Sequence, residues 1–234
     1  MTKSIFLILP FLIIFKLSAQ TNLKGKVYFE GEPKSNVNIY LDNTTTGTIT
    51  DQDGEFNLKV KKGVYQLIVS HIGFQTIRYN LDISAYTEPL VFSLSEEETL
   101  LEEVVINEEK VDIERLHHIE VFFREFIGNS DLSDSCTIEN PEVLFFDFDA
   151  ENNILTAVAI EPLHIKNEAL GYDILYDLQH FSKKGKTTKY LGYSYFKELE
   201  GKRNKRRKWK KNRLKAYKGS PIHFYKSLLK NSSK

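Results

Sequence analysis

The sequence predicts a mainly β protein, with a β-sandwich in its first half and a small α+β region with an antiparallel sheet in its second. Three observations carry this. Between Leu23 and Leu94 apolar residues alternate with polar ones in short runs broken by Gly, Pro and Asp, the period of strands with one buried face. From Asp112 the period becomes that of a helix, and after Gly128-Asn129 it returns to two. Sixteen Phe and twelve Tyr supply apolar area, while Cys136 is the only cysteine, so no intramolecular disulfide can staple the chain and burial must hold each core.

Residues 1–20, MTKSIFLILPFLIIFKLSAQ, join an early Lys to an apolar run from Ile5 to Phe15 and a small-residue end at Ser18-Ala19-Gln20. They read as an export signal cleaved after Ala19 or Gln20, in preference to an uncleaved anchor, because the run is short for a span and no stop-transfer pattern follows. No Cys stands near its end, which excludes lipid attachment there. The expected location is periplasmic or outer-membrane-associated.

Residues 21–94 are expected to form the sandwich. Leu23, Gly25, Val27 and Phe29 alternate, Gly31-Glu32-Pro33 turns the chain, and Val37, Ile39 and Leu41 alternate before the polar Asp42 to Thr45. Thr46 to Thr50 is a short strand. Phe56, Leu58 and Val60, then Tyr65, Leu67 and Val69, predict a central hairpin with one buried face, turned at Lys62-Gly63 and entered through Asp53-Gly54. Ile77 to Ile83 and Leu90 to Leu94 follow. Seven short strands in about 75 residues require two sheets packed on each other, since one sheet would leave its apolar face wet.

Gly25-Lys26-Val27, Pro33 before Val37, TITDQDGEF and GVYQLIVSHIGF together resemble the carboxypeptidase regulatory-like domain, a transthyretin-like (prealbumin-like) Greek-key sandwich found in exported Bacteroidetes proteins. The resemblance implies a non-catalytic accessory module and assigns it no catalytic residues. Leu101 to Ile106, LEEVVI, resembles the segment joining this module to the plug of TonB-dependent outer-membrane transporters, yet the 128 residues that follow are too few for a plug and a barrel. No TonB-dependent barrel is expected in this chain.

Residues 95–110 read as an acidic linker with a short strand at Val104 to Ile106. In 111–200, Ile113, Leu116, Phe123, Phe126 and Ile127, with Ile119 near them, mark one side of a helix. Leu144 to Phe148, Ile154 to Ile160, Leu163 to Asn167, Tyr172 to Phe181 and Thr188 to Phe196 are the expected antiparallel strands. In 201–234 a basic segment precedes a last helix, capped by Ser220-Pro221 and expected to dock through Phe224, Leu228 and Leu229. CTIENPEVLFF, EPLHIKNEALGYDILYDLQHF, YLGYSYFKEL and WKKNRLKAYKGSPIHFYKSLL are similar to the C-terminal part of carboxypeptidase-like regulatory domain-containing proteins of the Bacteroidetes, which lack a peptidase domain. That resemblance names a type of protein without a reaction.

Chemistry-bearing groups are sparse. Asp51, Asp53 and Glu55 surround a Gly as calcium ligands do, but Lys62 stands where the closing bidentate Glu of such a loop would be, and turn chemistry explains them better. His117, His118 and Glu120 contain an H-x-x-E pair for which His223 is the distant third ligand at a plausible separation, and Cys136 could pair with His164 or His180 as thiol and base. These groups define the rival reading, a metal- or thiol-dependent hydrolase related to carboxypeptidases. No Gly-framed elbow surrounds Cys136, and the histidines recur too freely to mark a site. Neither enzymatic activity nor a metal or other cofactor is expected.

Formal neutrality hides a split. Residues 21–182 hold 11 Lys/Arg against 30 Asp/Glu, a net of −19, and residues 183–234 hold 19 against 2, a net of +17. The excess peaks in GKRNKRRKWKKNRLKAYKGS. On a helix Arg206, Lys210 and Arg213 share one side and Trp209, Arg213 and Ala216 another, so Arg206, Arg207, Lys208, Trp209, Lys210, Lys211 and Arg213 are the candidate anion or partner contact. An exported chain meets little nucleic acid, so none is expected as a partner. An envelope protein, an anionic membrane surface or the acidic half of the same chain fits better. The expected function is a non-catalytic accessory or binding module of the cell envelope.

Overall fold

In the computed structural model, residues 20–97 and 108–232 are described. The export signal, apart from Gln20, and the expected strand at Val104 to Ile106 lie outside them.

The first half contains β1 (Gln20–Phe29), β2 (Glu32–Pro33), β3 (Asn38–Leu41), β4 (Gly47–Ile49), β5 (Glu55–Lys61), β6 (Val64–Ser70), β7 (Ile77–Asp82) and β8 (Leu90–Ser93). One sheet runs β2-β1-β5, with β8 parallel to β1, and the other runs β4-β3-β6-β7. Leu23, Val27, Phe56, Leu58 and Phe92 from the first sheet meet Ile39, Leu41, Leu67, Val69 and Leu81 from the second in one core. A Cβ on Gly25 would collide with the Phe56 ring and the Leu90 carbonyl, so glycine there lets β8 and an aromatic close on β1.

The central hairpin is corrected. β5 pairs with β1 (Leu23↔Leu58, Gly25↔Phe56), and β6 pairs with β3 and β7, so Lys62-Gly63 carries the chain from one sheet to the other. Both strands point their apolar residues into the same core, from opposite sides. Alternation specifies the inward face and leaves the bonding partner open. The entry turn differs too. The carboxylate of Asp51, not that of Asp53, accepts the Asp53 and Glu55 amides at 3.0 and 2.9 Å, and Gly54 takes φ of 69°.

The second half contains α1 (Glu108–Phe126), β9 (Cys136–Ile138), β10 (Leu144–Asp149), β11 (Ile154–Ala159), β12 (Leu163–Asn167), β13 (Tyr172–Lys184), β14 (Thr187–Glu198), α2 (Arg203–Lys218) and α3 (Pro221–Ser232). β13 is the spine: β14 lies along one edge, β11 and β12 share the other, and β10 and β9 extend them. α1 covers one sheet face with Phe122, which is fully buried against Phe181 at 4.8 Å.

The inner side of α1 is also corrected. Ile113 and Leu116 are 74% and 55% exposed. The buried stripe runs Arg115, Ile119, Phe122, Phe126, and Arg115 donates to the carbonyls of Leu144 and Pro141 at 2.9 and 3.2 Å. Ile113 lies on the opposite side of the helix from Phe122, so it stays exposed when Phe122 faces the sheet, and Arg115 shares the inward side and anchors the helix to the Leu144 carbonyl.

The outer face of the β3/β6 sheet docks on the other face of the β13 sheet. Tyr40 and Ile68 pack with Tyr193 and Tyr195. The 42–44 loop caps the edge of β14: Asp42 accepts the Ser194 amide at 2.8 Å, the Asn43 amide donates to Ser194 at 2.9 Å, and the Phe196 amide donates to Thr44 at 3.0 Å. Arg78 donates to the Tyr193 hydroxyl at 2.8 Å.

The expected docking of α3 is not seen. Ser220 does cap it, accepting the His223 amide at 3.2 Å, but Phe224 and Leu228 are 59% and 51% exposed. His223, on the polar side, meets the Tyr217 ring of α2 instead.

Candidate functional site

The basic segment is the helix α2, and its residues divide sharply by side. Its inner side is built against the β12–β13 loop, where four successive carbonyls each accept from α2. Trp209 Nε1 donates to Glu168 at 2.8 Å, Asn212 to Ala169 at 2.8 Å, and Arg213 to Leu170 at 2.7 Å and to Gly171 at 3.0 Å. Gly171 holds φ of 70°, and a Cβ there would overlap the Trp209 indole, so the loop needs glycine both to turn and to admit the ring. The Arg213 guanidinium lies 3.8 Å from the Tyr172 ring centroid and pairs with Glu198 at 2.6 Å. Planarity and the fork of donors permit this combination of stacking and multiple bonding.

Trp209 and Arg213, two of the seven candidate contact residues, are thus engaged within the protein, Trp209 at 3% exposure. Arg206, Arg207, Lys208, Lys210 and Lys211 face outward and are exposed. Among the described residues the acidic half does not cover them. The ion pairs of α2 are Arg213 with Glu198 and a loose Lys215–Asp131 contact at 3.8 Å, whose side chains are 72% and 94% exposed.

The other candidate sets do not converge. His118 packs against Phe146 and Phe148, and burial, aided by His117, pushes its pKa down. His223 sits on α3 against Tyr217. Among the described residues no three His, Cys, Asp or Glu side chains gather as a metal would require. Cys136 lies on the face of β9 shared with Ile138, whereas His164 alternates to the opposite face of β12. Burial raises the thiol's pKa, outweighing the bond from Asn167, the reverse of nucleophile activation.

Two clefts flank the docking seam. One, about 710 Å³, lies between the 70–76 loop and β10–β11. At its floor Asp177 is 8% exposed and accepts from Thr76 at 2.7 Å and Gln179 at 2.8 Å. Burial pushes its carboxyl above the ordinary aspartate range, against these bonds and Arg78. The other, about 420 Å³, is bounded by Thr48, His164, Asp173 and Lys197. Asp173 Oδ1 is buried there without a hydrogen-bond partner among the described residues. Sequence periodicity gives no sign of either cleft, because both arise only when the halves dock. The available signals are Ile68 and Tyr40, large apolar residues at outward positions of β6 and β3.

Comparisons with known proteins bear on the first half. The chain is 38% identical over 97 residues to the TonB-dependent receptor SusC of Bacteroides thetaiotaomicron, a match spanning 41% of this chain and 9% of the receptor. A DUF3823 family protein of Bacteroides ovatus aligns over 78% of this chain and 83% of its own at 11% identity. The TM-score of that alignment is 0.27. The family model of the CarboxypepD_reg-like domain matches residues 23–106. On the sandwich, its turn chemistry and these two sequence matches, residues 23–106 are a CarboxypepD_reg-like domain, a non-catalytic domain of the type found in Bacteroidetes.

Proposed function

We propose that the protein is a non-catalytic accessory module of the cell envelope, and that it makes its main electrostatic contact through the outward face of α2 with an anionic partner. One observation carries the reading: one side of α2 is tied down by Trp209, Asn212 and Arg213, while Arg206, Arg207, Lys208, Lys210 and Lys211 stay exposed around the rest of the helix. A helix clamped on one side presents its charges in a fixed array. At physiological salt the field of exposed charges decays over about 8 Å, so such an array acts by close contact and several cations must engage together. The likeness of the first half to part of a TonB-dependent receptor supports an envelope setting. The proposed organisation is an N-terminal export signal, a regulatory-like sandwich, an α+β body and a basic helical end.

Envelope membranes prepared from a Bacteroides culture provide the test. The full chain is expected to sediment with them at low salt and to be released at high salt. Changing Arg206, Arg207, Lys208, Lys210 and Lys211 together to Gln is expected to abolish the salt-sensitive part of that retention. Salt-insensitive retention, or none, would reject the reading.

A further inference from the structure

On an ideal helix of 100° per residue, Phe224, Leu228, Tyr225 and Ile222 of α3 fall on one continuous arc, and His223 and Ser227 lie opposite. A helix packed on its own protein turns the apolar arc inward. α3 does the reverse: Ile222, Phe224, Tyr225 and Leu228 are 61%, 59%, 63% and 51% exposed, whereas His223 and Ser227 are half-buried and His223 stacks on Tyr217 at 5.1 Å. Apolar side chains grouped this way on a surface mark an interaction site. On α2, which meets the opposite, His223 side of α3 through Tyr217, Leu214 and Tyr217 are themselves 53% and 41% exposed.

We propose that the α2–α3 hairpin is a docking surface for an anionic lipid bilayer, with α2 laying its cations on the headgroups and α3 sinking its apolar arc into the headgroup–acyl boundary. This rests on the reading of α2 as an anionic contact and names its partner. Charge complementarity selects the partner. An acidic protein surface would satisfy Arg206, Arg207 and Lys210 but offers no reason for an adjacent apolar arc, and an apolar groove would bury the arc but strand the cations. A bilayer surface with anionic headgroups takes both at once, because the two chemistries lie side by side at its boundary. α2 is fixed to the body through the 168–171 carbonyls, so its cations are presented without folding on contact, with α3 joined to it through His223 and Tyr217.

The test uses the full chain and protein-free vesicles of phosphatidylcholine alone or mixed with phosphatidylglycerol. The N-terminal apolar run acts alike on every variant, so the difference between vesicle types and between variants reads the hairpin. Wild type is expected to bind the mixed vesicles at least about tenfold better than the neutral ones, with the advantage falling as salt rises. The five-fold Gln variant is expected to lose that advantage. Phe224→Ser/Leu228→Ser is expected to weaken binding to mixed vesicles about tenfold, by removing apolar burial, with an unchanged melting curve because both side chains are exposed. Equal binding of wild type to the two vesicle types, or a double-Ser variant that binds as wild type does, overturns the lipid assignment. If that occurs while envelope membranes still retain the chain in a salt-sensitive way and lose it after protease treatment, α2 binds an acidic protein and the broader reading stands. If envelope retention fails as well, both fall.

Discussion

Trp209 and Arg213 show how residues that look like ligand contacts become structural once a loop is placed beneath them. The indole and guanidinium, with Asn212, bond every carbonyl from Glu168 to Gly171, and the indole itself is buried against Gly171. Trp209→Ala is therefore expected to lower stability by about 3–5 kcal/mol, and Arg213→Lys to lose most of what Arg213→Ala loses, since an ammonium cannot stack on Tyr172 while bonding two carbonyls and Glu198. Urea unfolding of the three variants checks both. Asp177 gives a second test at this scale, with a defined sign. Its folded carboxyl titrates above its unfolded value because burial disfavours the charge, so it holds its proton more tightly when folded. The stability this confers is complete below the ordinary aspartate range and is lost as pH rises through the raised value. Asp177→Asn is expected to flatten the pH dependence of unfolding across that window. An unchanged slope in a pH series of urea melts would contradict the assignment.

At the level of elements the sandwich is expected to be autonomous, because its core closes without help from the second half: every member of the shared cluster lies between Leu23 and Leu94. A fragment of residues 20–97 is expected to melt cooperatively by circular dichroism, and Phe56→Ala within it to cost about 3–5 kcal/mol. What the fragment loses is the cover over Tyr40 and Ile68. Ile68→Ser should improve the fragment's solubility yet destabilise the whole chain, where Ile68 is fully buried at the seam. Strand positions and inward faces were legible from alternation, as Leu23, Leu58 and Leu67 illustrate, because the period of a strand is a local property. Partner choice was not: β5 and β6 have the pattern of a hairpin and the bonding of a crossover between sheets. The helix α1 misled for a related reason. Ile113, Leu116, Phe123 and Ile127 make one apolar side and Ile119, Phe122 and Phe126 a second beside it, and only the sheet beneath decides which side is covered. On α2 the charge of the outward face was legible, while the inward roles of Trp209 and Arg213 needed the glycine at 171. On α3 the apolar arc was legible, and its outward direction was not, since a wheel has no fixed origin until something packs on it.

Across the whole molecule, groups that could suggest catalysis are dispersed by the architecture. His117 and Glu120 stand at exposed positions of α1, and His223 lies on α3, which is tethered through α2 to the 168–171 loop. Cys136 and His164 stand on opposite faces of one sheet. A zinc site needs ligands about 2 Å from one ion, and a thiol pair needs hydrogen-bond reach, so neither can form without taking apart the α1 or β12 packing. That packing is held by Phe122 and by Arg115 bonded to the Leu144 carbonyl, interactions too numerous for a bound ion to rearrange at small cost. The purified chain is therefore expected to carry no stoichiometric zinc by elemental analysis and to leave peptide substrates intact. His117→Ala is expected to leave metal content and melting temperature as they are, because the ring is exposed. Stoichiometric zinc that disappears in His117→Ala, together with peptide cleavage by the wild type, would refute the non-catalytic reading and require α1 and α3 to meet in a state other than this one.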